Sequence, residues 1–430
     1  MDIDGAPYIP RLIDQVVDRH LAAFGAVEIT GTMWSGKTWT SRAHGASRVT
    51  LDNPQARSLA EIDPEAVLRG AAPHIIDEWQ EIPSIWDLVR NKVDASPSQR
   101  GLFILTGSSS PAKNKVHHTG SGRISRLRMW PMSLAELGMS NGTVSLRGLF
   151  DGRFESRPVE TSLDQLASSI CRGGWPASVD LPDDLATLIP QQYLDALFAK
   201  DDVRAPGTER ELRSFLRSLA RNVGSAVTLR VLAKDMGLSE RAGTSRDANE
   251  RRVRAFLDYF LGRYVVCELH GWDAPIKSPS RLRTKPKHCF ADPSLPASLL
   301  GVDRTTLLDN TQLFGQLFEE LCLRDLRVYA SVLEGSHPDS LSYYRDADGL
   351  EVDAVIELRD GRWGAIEIKL GANKVEEAQA SLLRLRNKVS ANPAARNPEP
   401  SFLLVLVGKT DYCYRTPEGV LVAPITELTA

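Results

Sequence analysis

The run Gly31-Thr32-Met33-Trp34-Ser35-Gly36-Lys37-Thr38 constrains this chain more than any other feature. It fills every defining position of the pattern G-x-x-x-x-G-K-[ST]. Such a loop works only between a strand and a helix. Successive backbone N–H groups must turn into one concavity, with a helix N-terminus behind it. Both neighbours are legible. Ala26-Val27-Glu28-Ile29-Thr30 reads as a short buried strand, and no proline follows Thr38 until Pro54. The spacing therefore predicts a parallel α/β core of the P-loop NTPase kind, with the phosphate loop at its start. Gly31 and Gly36 supply the tight turns. Lys37 reaches β- and γ-phosphates, and Thr38 offers a hydroxyl to Mg²⁺. Ser35 and Trp39 complete the residues expected at the nucleotide, so ATP and Mg²⁺ are the expected cofactors.

A phosphate cradle hydrolyses nothing without a carboxylate for the metal and a group that orients water. His74-Ile75-Ile76-Asp77-Glu78 supplies both. Its apolar pair marks the end of a buried strand, where nucleotide sites of open α/β sheets lie. Asp77 is assigned to the Mg²⁺ shell and Glu78 to the attacking water. A third strand, Leu102 to Ser108, ends in polar residues. Thr106 or Ser108 is a candidate γ-phosphate sensor, unless the strand simply runs into a serine-rich turn. Beyond Gly122, Arg123 is the first candidate for an arginine that stabilises a neighbouring subunit's transition state, and Arg126 the second. That role implies a homo-oligomer.

A chain of 430 residues is long enough for about two to four domains. Its formal net charge of -3 gives no global basic field, so nucleic acid contact must come from local patches. Cys171, Cys267, Cys289, Cys322 and Cys413 are scattered and form no C-x-x-C pair. That pattern fits a reducing compartment and argues against structural zinc. The sequence shows neither an apolar stretch of about 18 residues nor a basic-then-apolar leader. A cytoplasmic protein without membrane contact is expected.

After the segment Pro131 to Leu137 the strand pattern stops. Residues 138–160, rich in Gly, Ser and Arg, read as a surface connection, and 161–222 as helices with apolar spacings of three and four. This helical region is either a lid or a packing spacer. Residues 225–300 are more specific. A helix capped by Thr228 ends near Gly237 to Ser239, a second runs from about Asp247 to Leu261, and Tyr264–Leu269 pairs with His288–Asp292 across a polar loop. Two helices followed by a ribbon form the winged-helix pattern, whose second helix can enter the major groove. Arg246, Arg251, Arg252 and Arg254 lie on that helix. Arg281, Arg283, Lys285 and Lys287 lie on the loop and its exit. All eight are candidate DNA phosphate contacts, although winged helices also serve as protein-contact modules.

The C-terminal constellation begins at Tyr343-Tyr344-Arg345-Asp346. Turns at Asp348-Gly349 and Asp360-Gly361 separate Glu351–Glu357 from Gly364–Lys369. Because side chains alternate along a strand, Glu367 and Lys369 share one face. Asp353 followed one strand later by Glu-x-Lys is the layout of restriction-endonuclease-like sites. There Asp353 and Glu367 hold Mg²⁺ and Lys369 steadies charge or orients water. Glu319 or Glu320, on a helix predicted from Leu313 to Tyr329, could add a third carboxylate. Phe402–Val407 supplies a further core strand. Folds of this type can also bind DNA without cutting it.

Taken in order, these motifs resemble the bacterial and archaeal AAA-type ATPases that carry domain of unknown function 4143 at the C-terminus. The resemblance runs from Tyr8-Ile9-Pro10-Arg11 through the GTMWSGKT loop, IIDEWQ, LTGSSS, Gly122-Arg123, Pro131 to Leu137 and Arg172-Gly173-Gly174-Trp175-Pro176. It continues through Lys287–Asp292 to GLEVDAVIE and AIEIK. It implies an AAA-type core, a winged-helix-like middle and a nuclease-like C-terminal fold. It carries Lys37, Thr38, Asp77 and Glu78 to nucleotide chemistry, and Asp353, Glu367 and Lys369 to the second site. Trp34-Ser35 departs from the pattern, since similar proteins often hold Arg and a small apolar residue there. The expected division is 1–140 for the ATPase core, 141–224 for the helical lid or linker, 225–305 for the winged helix and 306–430 for the restriction-endonuclease-like domain. The expected function is a Mg²⁺-dependent ATPase that binds branched or duplex DNA and couples hydrolysis to its remodelling. An ATP-gated metal-dependent nuclease, or a nucleotide-controlled scaffold without a nucleic acid partner, are the alternatives.

Overall fold

In the structure of the chain, a computed structural model, residue 5 and residues 7–110, 120–199, 205–238, 246–275 and 277–430 are described. Ser239 and the side chain of Arg246 lie outside that set. The chain divides into two compact units. Met1–Pro131 with Gly262–Val265 form the first, and Met132–Leu261 with Val266–Ala430 the second.

The first unit is built on β1 (Ala26–Thr30), β2 (Ser47–Thr50), β3 (His74–Asp77), β4 (Phe103–Gly107) and β5 (Ile124–Arg128). Their order is β2-β3-β4-β1-β5, with every pair parallel. The apolar runs form strands because both faces of the sheet are covered. Val27, Ile29, Ile75 and Ile104 pack with Val17 on one face. Ala26, Ile76 and Leu105 pack with Trp79 and Trp86 on the other, the two indoles 4.9 Å apart. Each fully buried aliphatic side chain contributes about 1.5–3 kcal/mol. The order has a chemical consequence. Because β4 lies between β1 and β3, the carboxyl ends of these strands bring the glycine loop, Thr106 and Asp77 side by side.

The second unit contains β6 (Val144–Ser145), β7 (Arg157–Pro158), β8 (Val266–Leu269), β9 (Lys287–Phe290), β10 (Leu341–Arg345), β11 (Glu351–Glu357), β12 (Trp363–Gly371), β13 (Phe402–Lys409), β14 (Tyr412–Arg415), β15 (Leu421–Pro424) and β16 (Leu428–Thr429). Seven of them form one sheet, ordered β10-β11-β12-β13-β15-β14-β7. The central strands β12, β13 and β15 are parallel, and the flanks are antiparallel. The helix Val375–Ser390 covers one face through Val375, Ala378, Leu382, Leu385 and Val389, a stripe spaced three and four residues apart. The long helix Thr311–Ser331 rests against β12 and β10.

The middle of the chain holds the helices Leu163–Arg172, Leu188–Ala199, Glu209–Arg221, Leu229–Asp235 and Arg246–Gly262. The Thr228 hydroxyl accepts from Val231 N at 3.4 Å, which caps the fourth of these. β8 and β9 then pair as an antiparallel ribbon. The segment Arg172 to Pro176 is tied to the long helix. Gly174 N donates to Asp292 at 2.9 Å, and the buried Arg324 donates to the same carboxylate at 3.0 Å.

Residues 138–160 are more than a surface connection. Val144 and Ser145 pair with β16, Leu146–Phe150 is a short helix, and β7 is an edge of the large sheet. Leu146, Leu149 and Phe150 are buried there, with Phe150 edge-on to Phe402 at 5.1 Å. Three apolar side chains within five residues outweighed the loop-like composition around them. Among the described residues no helix is long and apolar enough to cross a membrane. All five cysteines are free and buried.

Candidate functional site

The helix Lys37–His44 begins directly behind the loop, with Gly36 at its N-cap in the left-handed region (φ 98°). Gly31 stands at φ 152°, and a Cβ there would lie 2.1 Å from the Met129 carbonyl oxygen. Both positions therefore demand glycine. Arg11 braces the loop from below. Its guanidinium donates to Ser35 O and to Trp130 O, each at 2.9 Å. Tyr8 adds a second anchor, 3.0 Å from the Thr40 hydroxyl and donating to Asp14 at 2.7 Å. Trp34, also at positive φ, and Trp39 are exposed beside the loop, and Arg42 lies over the Trp39 ring at 4.8 Å.

Lys37 is buried, and among the described residues its ammonium has one hydrogen-bond partner, Thr32 O at 2.7 Å. Burial pulls its pKa down to about 8, although Glu78 and Asp77 act in the opposite direction. An ammonium in such surroundings suits a polyanion that can meet its remaining N–H groups. The Thr38 hydroxyl donates to both Asp77 oxygens at 3.2 Å. This hydroxyl and carboxylate are the donor set a Mg²⁺ ion on a triphosphate requires. Burial raises the pKa of Asp77, while hydrogen bonds from Thr106 and Thr38 partly offset that. The Thr106 hydroxyl donates to Asp77 and accepts from Glu78 N. Glu78 adopts a left-handed backbone (φ 54°, ψ 44°), unusual for a residue with a side chain. Its carboxylate accepts from Ser108 at 2.8 Å and from Gln80. Lys37, Thr38, Asp77, Glu78, Thr106 and Ser108 thus form one cluster. Gln80 and Arg11 belong to it as well. Gln80 stands two residues after Glu78, and Arg11 sits in the lead-in segment Tyr8-Ile9-Pro10-Arg11.

Arg123 does not join this cluster within its own chain. It precedes β5, whose first residue pairs with the first residue of β1, whereas the loop follows the last. Five strand residues, about 15 Å, separate the two ends. Arg123 instead pairs with Asp94 at 2.7 Å, and Arg126 with Glu28 at 2.9 Å. A finger role for either requires a neighbouring subunit.

A second acidic centre lies in the second unit. Lys369 Nζ is 2.6 Å from Glu367 and 3.2 Å from Asp353, and Ile368 N donates to Asp353 at 2.8 Å. Glu319, not Glu320, completes the group. Lys287 Nζ is 3.3 Å from Glu319 and 2.7 Å from Glu351. Glu320 is buried elsewhere, accepting from Phe290 N at 2.9 Å. Burial, then the charge of Asp353, raises the pKa of both Glu319 and Glu367. For Lys369 burial works downward, but Asp353 and Glu367 more than offset it, so its pKa stands above that of an ordinary lysine. Among the described residues no three His, Cys, Asp or Glu side chains are arranged to hold a metal ion. The two ammonium groups stand among the carboxylates. Asp353 and Glu367 are therefore a two-carboxylate set.

The basic residues of the middle region meet different fates. Lys287 is 2% exposed and belongs to the acidic centre, not to a wing surface. Its place in a buried strand with His288, Cys289 and Phe290 was the signal in the sequence. Arg281 is held by Glu357 at 2.8 Å, and Arg252 by Glu211 at 2.6 Å. Arg251, Arg254, Arg283 and Lys285 remain exposed.

Comparison with known proteins agrees with the geometry of the loop. Residues 24–138 match the model of an AAA domain, and residues 314–428 match that of domain of unknown function 4143. The chain belongs to the AAA ATPases that carry this C-terminal domain. Between these regions, residues 163–306 match a further domain of unknown function, 8612. The AAA match makes residues 24–138 an ATPase domain of the AAA type, built on the parallel sheet described above. Among solved structures, the chain is similar to the Walker-type ATPase paby2304 of Pyrococcus abyssi, at 12% identity and a TM-score of 0.42. That match covers 70% of this chain and 100% of the other. It is also similar to the Hef helicase domain of Pyrococcus furiosus, at 11% identity and a TM-score of 0.20, over 94% of this chain and 90% of the other. Neither likeness bears on the chemistry at this site. No curated protein matches the chain.

Proposed function

We propose that this AAA ATPase is Mg²⁺-dependent, binds DNA and couples hydrolysis to DNA remodelling. The observation that carries the ATPase half is the hydroxyl–carboxylate pair of Thr38 and Asp77, set beside a buried lysine with unused donors. Lys37 would hold β- and γ-phosphate oxygens, and Thr38 and Asp77 would hold the cation. Bound Mg²⁺ would neutralise charge that develops on the phosphates. Glu78 orients the attacking water and takes its proton, while Thr106 fixes Asp77 and the Glu78 backbone. Arg123 would act across a homo-oligomer interface.

The DNA half rests on the exposed Arg251 and Arg254 on one helix and on Arg283 and Lys285 beyond β8. Two helices followed by a ribbon support a winged-helix reading of this region, and the mixed sheet carrying Asp353, Glu367 and Lys369 supports a restriction-endonuclease-like one. The deciding experiment measures ATPase rate alone and with single-stranded, duplex and four-way DNA. Stimulation by one form is expected. An ATPase indifferent to all three, with no binding at low salt, would remove DNA from the proposal.

A second reading, metal-dependent cleavage gated by the ATPase, is favoured by the convergence of Asp353, Glu367 and Lys369. Asp353 and Glu367 would hold the cation, and Lys369 would steady charge on the phosphate. Nicking lost in Asp353→Ala but kept in Lys37→Ala is its signature.

A further inference from the structure

A groove in the second unit has about 1060 Å³ of open space and lies at the carboxyl ends of β12 and β13. Its floor is apolar, formed by Pro158, Leu163, Leu370, Ala372 and Cys413. Its rim is basic and aromatic. Arg157, Lys374 and Lys409 line it against a single acid, Asp411. Lys409 is exposed and meets no acceptor among the described residues. Among the described residues, Lys374 and Arg157 make open surface pairs, with Glu377 at 3.0 Å and Glu155 at 3.5 Å. Such pairs are weak and readily exchanged for another anion. Tyr412, 58% exposed, stands on the same rim.

The position of the groove matters as much as its lining. Gly371 pairs with Lys409 and Lys369 pairs with Val407. The rim therefore begins two residues past Lys369, about 7 Å along the strand. Thr311, which also lines the groove, starts the helix that delivers Glu319 to the acidic centre.

We propose that this groove binds single-stranded DNA and leads it towards Asp353, Glu367 and Lys369. This rests on the DNA half of the function proposed above and moves the main contact to the C-terminal sheet. Phosphates would pair with Arg157, Lys374 and Lys409, bases would lie over the aliphatic floor, and one base would stack on Tyr412. An exposed ring can stack only on a base whose face is free, which a paired duplex does not offer. The cations and the ring together select an unpaired strand over an apolar peptide.

The test is binding of a fluorescent thymidine 15-mer to the full chain, read by anisotropy at several salt concentrations. Three phosphate contacts predict a log–log salt slope of about -2, and Lys374→Ala with Lys409→Ala should reduce it to about -1. Tyr412→Ala should weaken binding roughly tenfold with the slope unchanged, and Tyr412→Phe should restore it. Basal ATPase should be unaltered in all of these variants. The groove assignment is overturned if the 15-mer binds with unchanged affinity and slope in the double variant, or if Arg251→Ala alone removes binding. In either case the DNA half of the function survives. If no DNA of any form binds, both fall together. Capture of an apolar peptide in place of the 15-mer would also overturn it.

Discussion

Replacing Lys37 with methionine separates what the loop needs for stability from what it needs for nucleotide. Burial lowers the lysine pKa from 10.5 to about 8, so the folded protein holds this charge at a disadvantage. At about 1.4 kcal/mol for each tenfold change in proton affinity, the cost is about 3 kcal/mol at pH 7. Methionine keeps the length and apolar stem and carries no charge. The lost hydrogen bond to Thr32 O gives back about 1 kcal/mol, and that oxygen keeps the Ser35 hydroxyl at 2.9 Å. The net is a gain of about 2 kcal/mol for Lys37→Met without nucleotide. The unfolded chain binds the extra proton between pH 8 and 10.5, so wild-type stability rises with pH there. The advantage of the variant should therefore be full below about pH 8 and vanish near pH 10.5. With Mg²⁺ and ATP at about 100 times the dissociation constant, the wild type gains about 2.7 kcal/mol and the variant gains nothing. Denaturant melts with and without nucleotide, at several pH values, read all four quantities. A variant less stable than wild type at pH 7 without nucleotide, or one stabilised equally by ATP, refutes the reasoning.

Glu78→Gln should leave ATP affinity within a few-fold and slow single-turnover hydrolysis about 100-fold or more; equal loss of both would place Glu78 in binding. Gly31→Ala forces a Cβ into the Met129 carbonyl at 2.1 Å, so it should cost about 1–3 kcal/mol in equilibrium unfolding and abolish ATP binding, and a variant that binds ATP normally would contradict the loop geometry. Glu319 and Glu367 have raised pKa values, so their folded forms bind protons that the unfolded chain releases. Stability of the second unit should accordingly fall as pH rises from about 4.5 to about 8. Added Mg²⁺ should raise melting temperature more at pH 8 than at pH 5.5, and this difference should disappear in Glu367→Gln; a flat calorimetric profile without metal would show the carboxylates to be ordinarily ionised.

Local sequence determined the pieces whose physics is local. The strand, glycine loop and helix at Ala26 to His44 follow from an apolar run and two glycines, because only this order turns backbone donors towards one point. Glu367 and Lys369 share a face because side chains repeat every two residues, and Thr228 caps its helix through a bond within one turn. The partners of those pieces were set by tertiary structure alone. Thr106 ties Asp77 to Glu78 because β4 inserts between β1 and β3, a pairing order that no nearby residue specifies. Lys287 leaves the basic loop for the acidic centre because β9 carries it to the helix bearing Glu319. The edge strand at Arg157 is read as loop from composition, yet the antiparallel partner at Tyr412 that completes it lies some 250 residues away in sequence. Periodicity and turn chemistry act over a few residues; strand order and the meeting of charges are fixed only when distant segments bury one another.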